Sequence, residues 1–200
     1  LSGLSVPDVA VSLASSPHQI QRGPLLITHW GFSGPSIIKL SAWQAIQLHT
    51  SQYQSQLYVS WLPHLGFRDI SDALETYQSR YPKRQLKSTS PFLAIPNRLW
   101  AYLLSRLPLL SGTWGGLRGP QMTLLANLLC RDTYLVTGKG VFKEEFVTCG
   151  GVVLSEINFK TMESRRCPGL YIVGELLNID GVTGGFNFQN AWTTGYLSGQ

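Results

Sequence analysis

The sequence predicts an α/β chain with an α+β insertion, and three observations support this fold class. Residues 9–13 alternate between apolar and polar types, and apolar residues recur at helical spacing over residues 68–131. Near the end, a short apolar run is followed by a glycine-rich loop and a second helical pattern. We therefore divide the chain into a mixed β and helical part over residues 1–147 and an α/β part over residues 148–200.

The β-rich part of the insertion is predicted over residues 1–67. Residues 9–13 alternate as a half-buried strand does, and residues 25–28 and 57–62 have the composition of further strands. Two glycines and a proline in residues 31–35 predict a tight turn that leads into a helix, with the proline at its first position. These strands can form a small barrel or a sheet.

The helical part is predicted over residues 68–131. Asp69 or Ser71 can cap a first helix. Pro96 and Pro120 can each begin a further helix whose leucines recur every three or four positions.

The insertion is predicted to end in a returning part over residues 132–147. Residues 133–137 and 145–148 have the composition of strands, with a glycine-containing turn between them.

The low charge and the start of the chain favour a piece of a larger protein. Charged residues make up 14% of the chain, against about 25% in typical soluble domains. The sequence begins at Leu1 without a charged and then apolar leader, and it has no apolar stretch of the ~18 residues that span a bilayer. We therefore expect a piece of a longer cytoplasmic protein that does not contact a membrane.

The formal net charge of +5 raises the question of a nucleic-acid partner. The densest basic cluster contains Arg80, Lys83, Arg84 and Lys87, and no series of stacking aromatic residues is interleaved with it. We interpret this cluster as a solvated helix face and regard nucleic-acid binding as the lesser alternative. Steep salt dependence of binding would distinguish the two.

The cysteines and histidines predict neither disulfides nor a metal site. Cys130, Cys149 and Cys167 are odd in number and are separated by 19 and 18 positions, which fits no disulfide framework and no metal knuckle. The four histidines are isolated in the sequence. We therefore expect reduced thiols.

The segment that carries chemistry is residues 168–199. Residues 170–173 form a short apolar run that predicts a fully buried parallel strand. Gly174 and Glu175 would then stand at the carboxyl end of this strand, where open α/β sheets bind their ligands.

The loop after this strand leads into a helix predicted over residues 187–198. It contains Asp180 and Gly181, then Gly184 and Gly185, which allow the backbone to approach a ligand closely. The free N–H groups and the positive dipole end of the helix favour an anionic partner, such as a phosphate or a reduced flavin. From the residues alone, a plain glycine-rich connection without a ligand is the alternative.

Twelve short motifs follow one another along the whole chain. They are LSGLS at 1–5, RGPLL at 22–26, THWGFSGP at 28–35, PKRQL at 82–86, TCGGV at 148–152, LSEI at 154–157, TMES at 161–164, PGLY at 168–171, GE at 174–175, DG at 180–181, TGGFN at 183–187, and Gln189. Together they resemble the BaiN/YhiN-type flavoproteins, often called aminoacetone-oxidase-family FAD-binding enzymes. The resemblance implies the closing part of a glutathione-reductase-type FAD-binding domain, an inserted β-barrel and helical domain, and FAD as the cofactor.

The resemblance also implies which residues contact the cofactor. They are Gly174, Glu175, Asp180, Gly181, Gly184, Gly185, Phe186, Asn187 and Gln189. Glu175 would hold ribityl or ribose hydroxyls, because a carboxylate can accept two hydroxyl hydrogen bonds. The alternative for Glu175 and Asp180 is that of solvated loop acids, and Gln189 can instead face the substrate or cap a turn.

Flavoproteins of this kind hold the FAD pyrophosphate with a Gly-x-Gly-x-x-Gly turn, and no such spacing occurs in this sequence. We therefore expect the missing N-terminal FAD-binding half of the same protein as a partner, together with a small-molecule substrate. Cys149 departs from the small residue that the resemblance implies at its position, and a buried hydrophobic role is favoured over a redox thiol.

The function that the resemblance implies is an FAD-dependent oxidoreductase that passes electrons from an unknown small organic substrate through the flavin. His29 is the candidate acid or base by residue type, although a lone histidine is more often structural. The alternative is a substrate-gating or interaction module of a larger flavoprotein, inactive alone. Flavin absorbance of the purified chain would discriminate between the two.

Overall fold

The structure is a computed structural model, and it describes residues 1–108, 112–140 and 147–200. The chain divides into two compact units. Unit 1 comprises Leu1–Leu40 and Tyr53–Lys139, and unit 2 comprises Ser41–Gln52 and Gly140–Gln200. The predicted domain boundary after residue 147 stays a prediction.

An antiparallel five-stranded sheet lies at the centre of unit 1. Its strands are β1 (Leu4–Leu13), β2 (Ser16–Ile27), β3 (Phe32–Ser33), β4 (Ser55–Ser60) and β5 (Asp132–Val136), in the order β3-β2-β1-β4-β5. Val6 lies opposite Leu25 and Val11 lies opposite Val59, and all four side chains are fully buried. The alternation in the sequence therefore sets the register that turns the apolar residues toward the core.

Four of the predicted strands are confirmed. Residues 9–13, 25–28, 57–62 and 133–137 all overlap strands of this sheet, with boundaries that differ by a few residues. Half of the strand predicted over residues 145–148 lies outside the described residues, and residues 147 and 148 do not form a strand.

Six α-helices occur in the described part of the chain. They are α1 (Pro35–Trp43), α2 (Ala45–Thr50), α3 (Phe67–Arg80), α4 (Asn97–Ser105), α5 (Gly119–Cys130) and α6 (Phe186–Ser198). The prolines that predicted helix starts are confirmed in this role: Pro35 is the first residue of α1, Pro96 directly precedes α4, and Pro120 lies in the first turn of α5. Proline suits these positions because the first turn of a helix leaves its N–H groups unpaired.

Helix α3 begins two residues before Asp69. The Asp69 carboxylate accepts a hydrogen bond from the Gly66 N–H at 2.8 Å, so it stabilises the helix from within the first turn. Neither Asp69 nor Ser71 is therefore the capping residue that the sequence predicted.

The interpretation of the basic cluster as a helix face is wrong. Helix α3 ends at Arg80, and residues 81–88 form turns. Pro82 explains this, because a residue that precedes proline is disfavoured in the α conformation. Tyr81 accordingly has φ −132° and ψ 52°.

Tryptophans organise the packing of the helical part. The Trp100 and Trp114 rings are fully buried and stack with their centroids 6.1 Å apart. The Trp100 indole N–H donates to the Leu86 carbonyl at 2.7 Å, which ties the turn segment to α4. Leucines from α4 and α5 complete this core, among them Leu99 and Leu125, which are also fully buried.

A buried carboxylate links the sheet to the helical part of unit 1. Asp132, at the start of β5, is fully buried and accepts hydrogen bonds from the Trp61 indole N–H at 3.0 Å and the Arg106 guanidinium at 2.7 Å. Burial and the neighbouring Asp132 carboxylate raise the pKa of Tyr134 far above its usual range. The buried charge is thus paired through Oδ2, whereas Asp132 Oδ1 has no hydrogen-bond partner in the described residues.

Unit 2 consists mainly of turns around a small apolar core of Ile157, Met162 and Leu177. The parallel strand predicted over residues 170–173 is wrong. The described residues of unit 2 contain two-residue strands, β6 (Ile157–Asn158) and β7 (Glu163–Ser164), and Tyr171 makes a single antiparallel bridge to Glu163. An apolar run becomes a buried strand only where neighbouring strands pair with it. Here Tyr171 is 51% exposed.

No helix in the described residues is long and apolar enough to cross a membrane.

Candidate functional site

Gly174 is the first residue of the candidate site, and its main chain contacts α6. The Gly174 N–H donates to the Thr194 hydroxyl at 2.9 Å, and the Gly174 carbonyl accepts from the Asn190 side-chain amide at 3.3 Å. Gly174 has φ +65°, and a Cβ at this position would lie 3.5 Å from the Ala191 Cβ. The main-chain polar groups of Gly174 therefore hold α6 in place. This structural role explains why glycine occupies the position, and it requires no ligand.

The loop before α6 is held by a two-point contact between Asn187 and Gly181. The Asn187 side chain accepts from the Gly181 N–H at 2.8 Å and donates to the Gly181 carbonyl at 2.9 Å. A Cβ on Gly181 would lie 3.1 Å from the Asn187 Oδ1. The Asn187 amide thus fixes the loop against the first turn of the helix.

The N-terminus of α6 carries no side-chain cap. Gly185 occupies the N-cap position with φ +93°, and Gly184 before it has φ +127°. Both residues are exposed, and a Cβ on Gly185 would meet no atom within 4 Å. The main-chain N–H groups of residues 186–188 therefore have no cap side chain as acceptor, and the positive end of the helix dipole lies at an open surface.

Glu175 and Asp180, the two acidic residues predicted for the site, both interact with the segment around Cys149. Glu175 is exposed, and its Oε1 accepts a hydrogen bond from the Thr148 N–H at 3.0 Å. The Asp180 carboxylate near the Cys149 thiol raises the pKa of Cys149, because the carboxylate favours the protonated form of the thiol. Cys149 is exposed and not buried as the sequence favoured.

The remaining predicted residues lie on exposed surfaces. Phe186 is 62% exposed, and the Gln189 amide donates to the Thr193 hydroxyl at 3.0 Å along the helix surface. His29 lies in the exposed turn between β2 and β3 of unit 1, and its side chain makes no hydrogen bond with the described residues. The cofactor candidates all lie in unit 2.

Sequence analysis did not predict two features of α6. They are the hydrogen bonds of Thr194 and Asn190 with Gly174, and an exposed aromatic stripe. Thr194 is 5% exposed. Its position four residues after Asn190 places both side chains on one face of the helix, and this spacing was the available signal for their shared contact with Gly174. Phe188, Trp192 and Tyr196 also follow one another at intervals of four, and each is 68–69% exposed. Phe188 and Trp192 stack with their ring centroids 6.1 Å apart.

Chemically, this arrangement can hold an anionic or hydroxyl-bearing ligand. The uncapped helix offers main-chain donors, and Glu175 and Asp180 offer acceptors at the same end of the unit. In the part of the chain that the structure describes, no group of three or more His, Cys, Asp or Glu side chains could hold a metal ion.

Comparison with known families identifies the class of the protein. The sequence model of the HI0933-like protein barrel and H2TH domain matches residues 1–147, and the chain therefore belongs to the HI0933-like family. This is the flavoprotein family that the sequence motifs indicated, and the predicted resemblance is therefore confirmed. The barrel-like and helical character of the first part of the chain is confirmed as well. At this coarse level the protein is related to flavin-dependent oxidoreductases.

Three curated relatives match nearly the whole chain. The chain is 30% identical over 203 residues to the ribosomal RNA dihydrouridine synthase of Escherichia coli (strain K12), which covers 100% of this chain and 46% of the relative. It is 28% identical over 197 residues to the enzyme of the same name from Haemophilus influenzae (strain ATCC 51907 / DSM 11121 / KW20 / Rd), covering 98% and 45%. It is 30% identical over 184 residues to the 3-dehydro-bile acid delta(4,6)-reductase of Clostridium scindens (strain ATCC 35704 / DSM 5676 / VPI 13733 / 19), covering 89% and 43%. The chain thus spans less than half the length of these relatives.

Proposed function

We propose that this chain is part of an FAD-dependent oxidoreductase and that the start of α6 contributes to the cofactor site. The observation that carries the proposal is the uncapped helix N-terminus behind two left-handed glycines, Gly184 and Gly185, in a member of a flavoprotein family. Main-chain N–H groups at such a terminus favour the negative charge that a reduced flavin ring carries.

The donor set fits FAD. Gly184 and Gly185 leave space that a Cβ would fill, so a flat ring can approach their main chain. One oxygen of Glu175 accepts from the Thr148 N–H, and the other has no partner in the described residues, so it can accept from a ribityl or ribose hydroxyl. When bound, FAD supplies the hydride-transfer chemistry, and the residues of this chain orient it and stabilise charge.

The names of the relatives suggest the class of reaction. Dihydrouridine is uridine with one ring double bond reduced, and a delta(4,6)-reductase is named for carbon–carbon double bonds. In both substrates the reduced bond is conjugated to a carbonyl group. We therefore extend the proposal to reduction of a conjugated carbon–carbon double bond in an organic substrate.

The exposed aromatic surface of α6 supports a polypeptide partner for this chain. The aromatic stripe of Phe188, Trp192 and Tyr196 is an apolar surface that isolated soluble units rarely expose. The relatives are more than twice as long as the region they share with this chain. We propose that the N-terminal FAD-binding half of the flavoprotein covers this stripe and supplies the pyrophosphate site.

The test is the substitution Gly185→Val in the flavoprotein that contains this chain. A β-branched residue at φ +93° costs about 1–3 kcal/mol in strain and places methyl groups where the cofactor would approach. We expect the flavin-to-protein absorbance ratio to fall strongly while the far-UV circular dichroism is retained.

The matched control is Gly138→Val, since Gly138 is an exposed turn residue of unit 1 with open space around its Cβ position. It should keep full flavin occupancy. Equal and full occupancy in both variants would show that the glycine loop is a plain connection.

A further inference from the structure

The positive charge of this protein is concentrated in one stretch of unit 1. Between Thr76 and Arg131 the sequence contains eight of its 16 Lys and Arg residues and no Asp or Glu. The other eight basic residues are outnumbered by all 11 acidic residues of the chain. A strong local asymmetry of this kind marks a surface for a polyanion more clearly than the net charge does.

The densest part of this stretch is a turn segment that is fixed to its surroundings through its backbone. The Leu86 N–H donates to the Gly112 carbonyl at 2.8 Å, and the Trp114 N–H donates to the Arg84 carbonyl at 3.0 Å. The Gly115 N–H donates to the Pro82 carbonyl at 2.7 Å, and a Cβ on Gly115 would lie only 3.0 Å from that oxygen. The three basic side chains of the segment, Lys83, Arg84 and Lys87, therefore project from a backbone that needs little ordering when a ligand binds, and Arg80 lies beside them at the end of α3.

Tyrosines and not carboxylates position the two arginines. The Arg84 guanidinium donates to the Tyr77 hydroxyl at 2.7 Å and lies 5.2 Å from the Tyr81 ring centroid. The Arg80 guanidinium lies 5.4 Å from the same centroid. These contacts orient the planar groups without neutralising them, so their other N–H donors stay available to an anion.

The cluster forms no ion pair within the described residues, although Asp72 and Glu75 of α3 line the same shallow surface as Arg80. The ion pairs among the described residues are Arg22 with Asp8, Arg106 with Asp132, and Arg166 with Glu156, and none includes Arg80, Lys83, Arg84 or Lys87. All four of these side chains are exposed. Exposed cations spread over eight residues match the repeated charge of a nucleic-acid backbone.

We propose that Arg80, Lys83, Arg84 and Lys87, which we call the basic surface, dock the sugar–phosphate backbone of RNA. Charge complementarity supports a nucleic acid, and two relatives that match 98–100% of the chain are named for a reaction on ribosomal RNA. From the sequence alone, nucleic-acid binding was the lesser alternative to a solvated helix face. The fixed turn segment and the absence of carboxylates from the stretch now favour nucleic-acid binding. The proposal goes beyond the proposed function and does not depend on flavin binding.

The experiment measures binding of the 200-residue chain, without flavin, to a fluorescein-labelled 20-nucleotide RNA hairpin by fluorescence anisotropy between 50 and 200 mM KCl. The test variant is Lys83→Gln/Lys87→Gln, which leaves the tyrosine–arginine contacts intact. Each lost phosphate contact should lower the slope of log K against log salt by about 1, so we expect a decrease of about 2 and a Kd that rises about tenfold or more.

The control variant Arg68→Gln/Lys160→Gln removes the same charge from exposed positions outside the stretch. It should bind the hairpin nearly as the parent does, and thermal melts should show that both variants fold. The proposal is overturned if the parent does not bind, if the test variant matches the parent, or if the control loses as much affinity. Tighter binding to phosphatidylserine vesicles or to DNA of the same sequence would assign the basic surface to another polyanion and would also overturn it. Flavin absorbance of the flavoprotein variants reports on the proposed function separately.

Discussion

At position 194, a single hydroxyl group connects α6 to the turn that precedes the glycine loop. The Thr194 Oγ1 accepts from the Gly174 N–H at 2.9 Å and donates to the Asn190 carbonyl at 2.7 Å. Both Thr194 and Gly174 are buried, so water cannot replace this contact. A buried N–H without a partner retains its full desolvation cost.

Thr194→Val should therefore destabilise the chain although it preserves the side-chain shape. We expect a loss of about 1–3 kcal/mol in the free energy of unfolding, because the Gly174 N–H loses its acceptor. Thr194→Ser keeps the hydroxyl and should cost only about 0.8 kcal/mol for the missing methyl group. Urea unfolding of the two variants measures the difference, and equal losses would mean that packing alone explains the residue.

Cys149 should react as a thiol whose ionisation is suppressed by Asp180. The neighbouring Asp180 carboxylate favours the protonated thiol and repels the thiolate, so the pKa of Cys149 lies above its usual value. In a Cys130→Ser/Cys167→Ser background, the rate of iodoacetamide modification should rise at a higher pH than for an ordinary cysteine. Asp180→Asn should move this rise to lower pH, and an unchanged profile would show that the contact does not form in solution.

At the scale of the element, the start of α6 is fixed from the loop side. The Asn187 amide contacts both polar groups of the Gly181 main chain. Since Gly185 supplies no cap, this contact is what holds the loop against the first helical turn. A preformed loop is a requirement for main-chain donors that must meet a ligand without reorganising.

Asn187→Ala should accordingly loosen the loop without unfolding the helix. Loss of an intramolecular hydrogen bond of about 0.5–1.5 kcal/mol predicts a roughly three- to tenfold faster exchange of the Gly181 amide hydrogen. Gln189→Ala is the control, because the Gln189 side chain contacts only exposed Thr193 in this structure. Similar exchange at Gly181 in both variants would contradict the role of Asn187.

The elements show which structural features the sequence determines locally. Proline positions predicted the starts of α1, α4 and α5, and alternation predicted the strands of unit 1, since both signals depend on the backbone of the element itself. The apolar run at 170–173 failed as a strand because its conformation depends on neighbours that a local pattern does not reveal.

The local structure of the candidate site was predicted from the sequence, whereas its contacts were not. The glycine loop and the helix start at residue 186, one position before the predicted start, follow from local spacing. The partners of Glu175 and Gly174 lie 27 and 20 residues away in the sequence, and no periodicity connects them. Their hydrogen bonds hold the site together, a role that sequence analysis did not predict for either residue.

At the scale of the whole molecule, each unit has its own core. Unit 1 is built around a five-stranded sheet and stacked tryptophans, whereas unit 2 has a core of three fully buried apolar side chains with other residues packed against them. A core of that size contributes little stability, which agrees with the exposed aromatic stripe of α6 as a surface for further packing.

The 200-residue chain alone should bind FAD weakly. Its sequence contains no Gly-x-Gly-x-x-Gly spacing for the pyrophosphate, so the donors of α6 would hold only part of the cofactor. We expect a Kd above about 1 µM by equilibrium dialysis, because binding energy from a partial site must still offset the entropy of association. Sub-micromolar binding would show that these residues form a complete site.

The carboxylate-free stretch of unit 1 has a consequence for how its charge responds to the surroundings. Residues 76–131 also contain no histidine. Histidine is the side chain that ordinarily changes charge between pH 5 and 8, and carboxylates titrate just below that range. Acidification therefore leaves the charge carried by the stretch itself constant, whereas added salt screens it. Acylation of Lys83 or Lys87 would remove charge one unit at a time, while the arginines beside them would keep theirs.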